Sequence, residues 1–251
     1  MEFLDFLVIT QLSLAVVVFL FLMFINAPYG RYVRKGWGPA IPAQFAWMIM
    51  EFPAFFVIAW LVIANAEKAG MFGMLFLLMW EAHYVYRVWI YPFLLSSPQK
   101  PFPIVLVFFA ICFNTLNGTI NGGSLASMGA WYTEHRWALD PRMIVGCMMF
   151  VTGFVIHAHS DTLLRHLQRG ERGEYVVPSG GMFRFVSSPN YFGEMVEWAG
   201  WAVATWSMAG LAFAVFTIAN LLSRAVSNHR WYQKTFPGYP ADRKILIPFL
   251  W

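Results

Sequence analysis

A chain of 251 residues that is 59% hydrophobic and 12% charged, with 25 Phe and 12 Trp, is too apolar for a water-soluble domain of its size. Its net charge of +4 reads in such a chain as the basic bias of cytoplasmic loops, so nothing points to a nucleic acid partner. The two cysteines, Cys112 and Cys147, lie inside apolar runs and carry no disulfide or metal-ligand spacing.

The expected fold is all-α: a single membrane-embedded domain over 1–251 with seven transmembrane helices at 3–26, 42–65, 70–95, 102–122, 142–167, 190–207 and 209–234. Only helices and closed barrels satisfy the backbone in lipid, and the short alternating segments of a barrel are missing. The first run has Glu2 and Asp5 at its head in place of a basic segment, and it reads as a retained helix rather than a signal peptide.

The second run holds Glu51 in Trp47-Met-Ile-Met-Glu51-Phe-Pro53, where a charged carboxylate costs about 3 kcal/mol on insertion scales. It is either a functional group or a structural hydrogen-bonding group beside the Pro53 kink. The third run concentrates Glu81, His83, Tyr84, Tyr86 and Arg87. Positions 80, 83, 84 and 87 share one helical face, so Trp80, His83, Tyr84 and Arg87 are placed to line one cavity, while Tyr86 and Tyr91 suit an interfacial belt.

The fifth run ends in His157, His159, Asp161 and Arg165. The stripe 157, 161, 165 is a ligand wall or a solvated helix end; a metal site is the weaker reading, because no HExxH or paired-Cys spacing accompanies it. Next comes Pro178-Ser-Gly-Gly, with two glycines free to take unusual backbone angles, and then Ser188-Pro189, an N-cap followed by proline at N1. The helix that starts there carries Asn190, Glu194 and Glu197 on one face, more polar groups than capping or the helix dipole explains. In the last run Arg224, Asn228 and Tyr232 recur one turn apart, facing lipid headgroups or a phosphorylated cofactor.

Arg31, Arg34, Lys35, Lys100, Arg165, Arg169, Arg172, Arg184, Arg243 and Lys244 gather on one side of this arrangement. The positive-inside rule puts that side in the cytoplasm, with the N-terminus outside and the C-terminus cytoplasmic, as an odd number of spans requires.

Gly180-Gly-Met-Phe-Arg-Phe-Val-Ser-Ser-Pro-Asn190-Tyr-Phe-Gly-Glu194-Met-Val-Glu197-Trp, followed by Arg224-Ala-Val-Ser-Asn228-His-Arg-Trp-Tyr232 and Tyr239-Pro-Ala-Asp-Arg-Lys-Ile-Leu-Ile-Pro-Phe-Leu-Trp251, resembles the steroid 5α-reductase family. His157-Ala-His-Ser-Asp161, Asn117-Gly, His83-Tyr84 with Arg87, and Met50-Glu51-Phe-Pro extend the likeness over about residues 45 to 251. The resemblance implies a seven-helix membrane enzyme that reduces the Δ4 double bond of 3-oxo-steroids, testosterone- or progesterone-like, with NADPH. By it, Glu51 and Tyr84 are catalytic and hold the 3-keto oxygen. Trp47, His83 and Glu197 join them on the substrate side, and residues 1–122 supply mainly the substrate-side helices. By it also, the helices of 123–251 hold mainly cofactor, through Asn117, Asp161, Arg165, Arg169, Tyr175, Asn190, Glu194, Arg224, Asn228 and Tyr232, with Lys100 as a further phosphate partner. Two donors aimed at the keto oxygen stabilise the enolate as it develops, a role that calls for a neutral, hydrogen-donating Glu51. No G-x-G-x-x-G follows a strand, so no Rossmann domain is expected.

The chain departs from the mammalian pattern at Met50, where glutamine is expected, at His157, where asparagine is expected, and at Gln168, where a basic residue is expected. These departures suggest a bacterial relative in an inner membrane, with its cofactor site facing the cytoplasm and no metal. A sterol or polyprenol reductase, an isoprenylcysteine-type methyltransferase and a transporter using Glu51 and Glu197 as a proton relay are the rival readings. The sequence does not fix the oligomeric state.

Overall fold

Long runs of apolar residues with strong helix formers fold as helices because the lipid phase leaves no other partner for their backbone. The computed structural model describes residues 2–167 and 175–251. Its helices are α1 (Glu2–Phe24), α2 (Ala43–Ala64), α3 (Ala66–Val85), α4 (Ile104–Glu134), α5 (Pro141–Leu167), α6 (Pro189–Thr205) and α7 (Met208–Thr235). A two-stranded antiparallel ribbon, β1 (Ala40–Pro42) with β2 (Pro101–Pro103), ties the starts of α2 and α4 together in the register Ile41 opposite Phe102.

Five of these helices are long and apolar enough to cross a membrane: Phe3–Phe24, Ala43–Ala64, Ile104–Glu134, Pro141–Leu167 and Met208–Thr235. The other two expected spans are helical but differ. α6 has only 17 residues, about 25 Å of rise. α3 carries Glu67 and Lys68 in its first turn and breaks at Gly70, whose φ of 60° and ψ of −165° suit glycine alone.

Two boundaries also depart from the sequence reading. The third segment does not stay α-helical to 95: it passes into a π-turn at Tyr86–Ile90 and a 3-10 turn at Tyr91–Leu94, because Pro92 lacks the N–H an α-helix needs. The fourth does not stop at 122 but runs to Glu134. Gly122, Gly123 and Ser124 lower its apolarity, yet the buried Tyr132 rewards continuation by packing 5.3 Å from Phe76 and 5.8 Å from Trp137.

The contacts divide the chain into two compact units. The first comprises Met1–Gln11, Ala27–Met143 and Ser207–Ala209, and the second Leu12–Asn26, Ile144–Trp206 and Gly210–Trp251. In the first, Phe76, Trp80, Tyr132 and Trp137 are fully buried. Asp140 ends this unit's last loop and takes three bonds from Arg142, at 2.8 Å from its N–H, 2.9 Å from Nε and 2.8 Å from Nη2. The Arg142 hydrogen bonds hold the Asp140 carboxyl down to about 2.

In the second unit, Trp198 and Trp201 pack against Phe150, and Trp198 lies 4.4 Å from Phe213. Here α5 and α6 run antiparallel with backbone against backbone. A Cβ on Gly146 would lie 2.3 Å from the Ala204 nitrogen, one on Gly153 2.3 Å from the Glu197 nitrogen, and one on Gly193 2.5 Å from the His157 nitrogen. Side chains excluded from this seam leave room for short polar groups at its end, which is where the second unit's polar cluster forms.

Candidate active site

The first unit buries a polar knot between α2, α4 and the π-turn after α3. Arg87 Nη2 donates to Glu51 Oε1 at 3.2 Å, and Asn114 Nδ2 donates to Glu51 Oε2 at 3.3 Å and to the Met50 carbonyl at 2.6 Å. The guanidinium itself lies against an edge-to-face ring pair, 4.5 Å from the Trp47 centroid and 4.8 Å from that of Tyr91. Such cation–π contacts offset the cost of burying the charge. One carboxylate therefore has both oxygens engaged by donors from two other elements.

Tyr84 is fixed beside this knot by its neighbours in sequence. Trp80 Nε1 donates to the Ala54 carbonyl at 3.0 Å, so both Trp80 and Arg87 reach α2, at Ala54 and Glu51. Tyr84 lies between them in sequence near the end of α3, stacked on Trp80 at 5.1 Å and met edge-on by His83 at 5.0 Å. Trp80, His83, Tyr84 and Arg87 are all buried, and Trp47 is brought in through Arg87. The sequence reading gave Arg87 a face but no role and passed over Asn114. The signal for both was present: an arginine and an asparagine in neighbouring apolar runs are costly unless they pair with Glu51. Glu51 as found is an acceptor on both oxygens, whereas the sequence reading asked for a donor.

Asn117 also belongs to this first unit. Its Oδ1 accepts from Gln11 Nε2 and from Asn121 Nδ2, both at 3.0 Å. Lys100 contributes its carbonyl to the start of α2, accepting from the Ala43 N–H at 2.9 Å.

The second unit gathers the other expected polar residues. Asn190 Nδ2 donates to Asp161 Oδ1 at 3.1 Å. His157 lies 3.5 Å from Asp161 Oδ2 through Nε2 and 3.4 Å from Glu194 Oε2 through Nδ1. Glu197 is fully buried, with its backbone against Gly153. The polar face of α6 thus meets α5 on successive turns. Arg165 donates from Nη2 to Thr162 Oγ1 at 2.7 Å; Arg169 lies outside the described residues.

The α7 stripe faces the start of α6 and the C-terminal segment. Arg224 sits 5.3 Å over the Tyr191 ring, Asn228 Nδ2 donates to Ser188 Oγ at 3.5 Å, and Tyr232 stacks on Tyr239 at 5.3 Å. Tyr175 packs edge-on against Trp231 at 5.2 Å. Pro189 is at N1 as expected, and Gly180 and Gly181 take positive φ of 87° and 49°. Ser188 gives the helix no side-chain cap, its hydroxyl serving Asn228 instead.

Sequence reasoning missed the node that holds these pieces together. Ser187 Oγ lies 2.6 Å from His229 Nδ1 and 2.6 Å from Tyr239 OH, and donates to the Lys244 carbonyl at 3.1 Å. A hydroxyl has one proton and two lone pairs, so this set is satisfied when His229 Nδ1–H and Tyr239 O–H both donate to Ser187. Arg243, counted with the basic tail, is in fact buried: it donates from Nη1 to the Pro178 carbonyl at 3.0 Å and lies 5.0 Å over Tyr239. Among the described residues no group of three or more His, Cys, Asp or Glu is placed to hold a metal ion.

Residues 100–251 match the family profile described as 3-oxo-5-alpha-steroid 4-dehydrogenase. Bovine 3-oxo-5-alpha-steroid 4-dehydrogenase 1 is 39% identical over 253 residues, covering 98% of this chain and 96% of that protein. The mouse protein of the same name is 41% identical, again over 98% and 96%. Steroid 5-alpha-reductase DET2 of Arabidopsis thaliana is 39% identical over 92% of this chain and 90% of its own.

Proposed function

Given that the chain belongs to the 3-oxo-5-alpha-steroid 4-dehydrogenase family, we propose that it reduces the Δ4 double bond of testosterone- or progesterone-like 3-oxo-steroids with NADPH, giving 5α-dihydro products. Substrate C5 accepts hydride, the C3 oxygen carries the resulting enolate charge, and C4 takes a proton. The cofactor supplies the hydride; everything else falls to the chain. The observation that carries the reading is the buried Glu51–Arg87–Asn114 knot beside Tyr84.

A keto oxygen docked against that knot meets the Tyr84 hydroxyl as a donor. Both Glu51 oxygens accept as found, so Glu51 serves as the second donor only by carrying a proton and releasing one of these bonds, with the Arg87 guanidinium adding positive charge behind it. Such fixed donors stabilise an oxyanion as its charge develops. Trp47 and His83 pack beside these groups; Glu197 is assigned to the substrate by the resemblance alone.

The second unit fits the other reactant chemically. Two carboxylates, Asp161 and Glu194, suit ribose hydroxyls and an exocyclic amine, the amides of Asn190 and Asn228 serve either polarity, and Arg224 suits a phosphate. Tyr175, Tyr232, Arg165 and Arg169 extend the proposed cofactor set; Asn117 and Lys100 are assigned to the cofactor by the resemblance alone. Seven crossings with the C-terminus in the cytoplasm are part of the same proposal, supported by the basic residues that flank these groups.

The test is NADPH oxidation by the purified protein with testosterone or progesterone, alongside Glu51→Gln and Tyr84→Phe. Tyr84→Phe is expected to lower kcat/KM about 100-fold or more, the usual loss when one oxyanion donor is removed, while Glu51→Gln, whose amide still donates, is expected to lose activity to the extent that the acid itself is needed. Wild-type turnover in both variants overturns the mechanism, and absence of NADPH binding to the wild type overturns the cofactor.

A further inference from the structure

Helix α7 is apolar from Met208 onward, and the hydrocarbon of a bilayer takes about 20 helical residues. Its stretch around Asn228 and His229 therefore reaches the headgroup boundary, while the helix itself runs on to Thr235. The chain then turns back. Asn228 donates to Ser188, Ser187 Oγ lies 2.6 Å from His229 Nδ1, and Lys244 pairs with the same segment. The Lys244 N–H donates to the Phe185 carbonyl at 2.8 Å, and its carbonyl accepts from the Ser187 N–H at 2.9 Å. Residues 245–251 thus leave from the level of His229, not from the far end of α7. There they close into a compact loop: the Trp251 carbonyl accepts from the N–H groups of Leu246 and Ile247 at 2.9 and 2.7 Å, and the Trp251 N–H donates to the Ile247 carbonyl at 3.1 Å. Leu246 is buried beneath it. The other side faces outward, with Phe249 and Leu250 76% and 78% exposed and Ile247, Trp251 and Phe185 exposed beside them. The Phe185 and Phe249 rings lie 5.1 Å apart. Phe249 also holds a φ of 65°, a left-handed angle that costs a residue with a side chain free energy.

We propose that the 245–251 loop, with Phe185, is a membrane-interface anchor, seating Ile247, Phe249, Leu250 and Trp251 at the boundary between lipid headgroups and acyl chains. A loop that fixes its own backbone, and strains it at Phe249, to present contiguous apolar side chains has an apolar partner. Its level along α7 makes that partner the bilayer, and Phe and Trp are side chains suited to this depth. Charge agrees: Arg184 is exposed next to Phe185 and Lys244 is half-buried at the base of the loop, where both can meet the phosphates of anionic lipids. The backbone pairing of Lys244 with 185–187 ties the anchor to the segment that leads into α6 at Pro189, so seating the loop also fixes where that helix begins relative to the membrane plane.

The experiment places the protein, with Cys112 and Cys147 replaced by alanine, in nanodiscs of phosphatidylcholine and phosphatidylglycerol, where both faces of the membrane are open to solutes. An environment-sensitive fluorophore is attached at Leu250→Cys or, as the control, at Gly238→Cys, an exposed position with open space around it in the turn beyond α7. Iodide reads access from water, and phosphatidylcholines with quenchers at two acyl depths read access from lipid. The label at 250 is expected to be several-fold less quenched by iodide than the label at 238. Lipid quenching should place it about 5–10 Å into the headgroup boundary, the depth of an interfacial apolar face. Adding Phe249→Gly removes the ring while glycine accepts the positive φ without cost, so the variant keeps the loop and should shift the label at 250 toward water. Equal iodide quenching at 250 and 238 overturns the anchor. Shielding of the label at 250 from both iodide and lipid quenchers, with cross-linking between Leu250→Cys copies, overturns it in favour of a face between two copies of the chain. An unchanged depth in the Phe249→Gly background overturns the role of the strained phenylalanine.

Discussion

Glu51 is the residue whose placement the sequence made plainest, since a carboxylate at the ninth position of a 22-residue apolar helix has to be used or paired. It is paired, and Arg87 is the partner: their side chains are 15% and 9% exposed at 3.2 Å separation. Removing one member of a buried ion pair strands the other and costs about 3 kcal/mol or more, while removing both costs far less. Arg87→Met should therefore lower the melting temperature in detergent by roughly 6–12 °C, and the double variant Arg87→Met with Glu51→Gln should recover most of that loss. Equal melting temperatures for the single and double variants would show that the pair carries no coupling. The pairing was not legible beforehand because it depends on how α2 and the π-turn at Tyr86–Ile90 meet, and hydropathy says nothing about register between helices. Arg243 shows the converse: a basic tail residue looks solvated in sequence, and only the fold reveals the Pro178 carbonyl and Tyr239 ring that bury it.

Helices were legible where apolarity and terminators agree. Pro141 and Pro189 open α5 and α6, and both starts were placed within one residue. They were misjudged where a single cue dominated, as at Gly122–Gly123 in the middle of α4. A glycine there reads as a stop in water but is tolerated in a helix packed on its neighbours. The α5–α6 seam turns the same property to use. Because a Cβ on Gly153 would lie 2.3 Å from the Glu197 nitrogen and 2.5 Å from the Gly193 carbonyl, even alanine forces the two backbones apart. Gly153→Ala is expected to cost more than the usual ~1–3 kcal/mol of overpacking and to weaken NADPH binding, since Asp161 and Asn190 sit at the end of that seam. Gly123→Ala is the control. Its Cβ would meet only the end of the Leu4 side chain at 3.0 Å, and alanine gains about 1 kcal/mol of helix propensity, so its melting temperature should match or exceed that of wild type. Equal losses in both variants would remove the argument that close backbone approach, and not glycine content, builds the site.

At the scale of the molecule, composition and hydropathy announced a helical membrane protein, and seven helices of length 17 to 31 residues follow the chain in the expected order. Length and apolarity alone qualify five as membrane spans, and the shortfall has a physical origin in each case. α6 gives up apolar length for Asn190, Glu194 and Glu197, and α3 gives it up for Glu67, Lys68 and Glu81, with Arg87 in the π-turn that follows it. A span can carry such groups only if protein, not lipid, surrounds them, and Glu197, His83 and Arg87 are all buried. Counting α3 and α6 as crossings makes seven, which sets the two termini on opposite sides; counting only the five also gives an odd number, so termini alone do not discriminate. The loops do. With seven crossings, the loop at 135–140 lies outside and the segment around 236–244 lies in the cytoplasm, while the connection at 65–66 between α2 and α3 faces outside and the ribbon strand at 101–103 faces the cytoplasm. If α3 does not cross, 65–66 and 101–103 fall on one side. Single cysteines at Asn65 and Lys100, placed in a background lacking Cys112 and Cys147, should label from opposite faces of sealed vesicles, Asn65 from outside and Lys100 only after permeabilisation. Labelling of both from one face would remove α3 as a span and, with it, the bilayer-crossing placement of the helix that carries Tyr84.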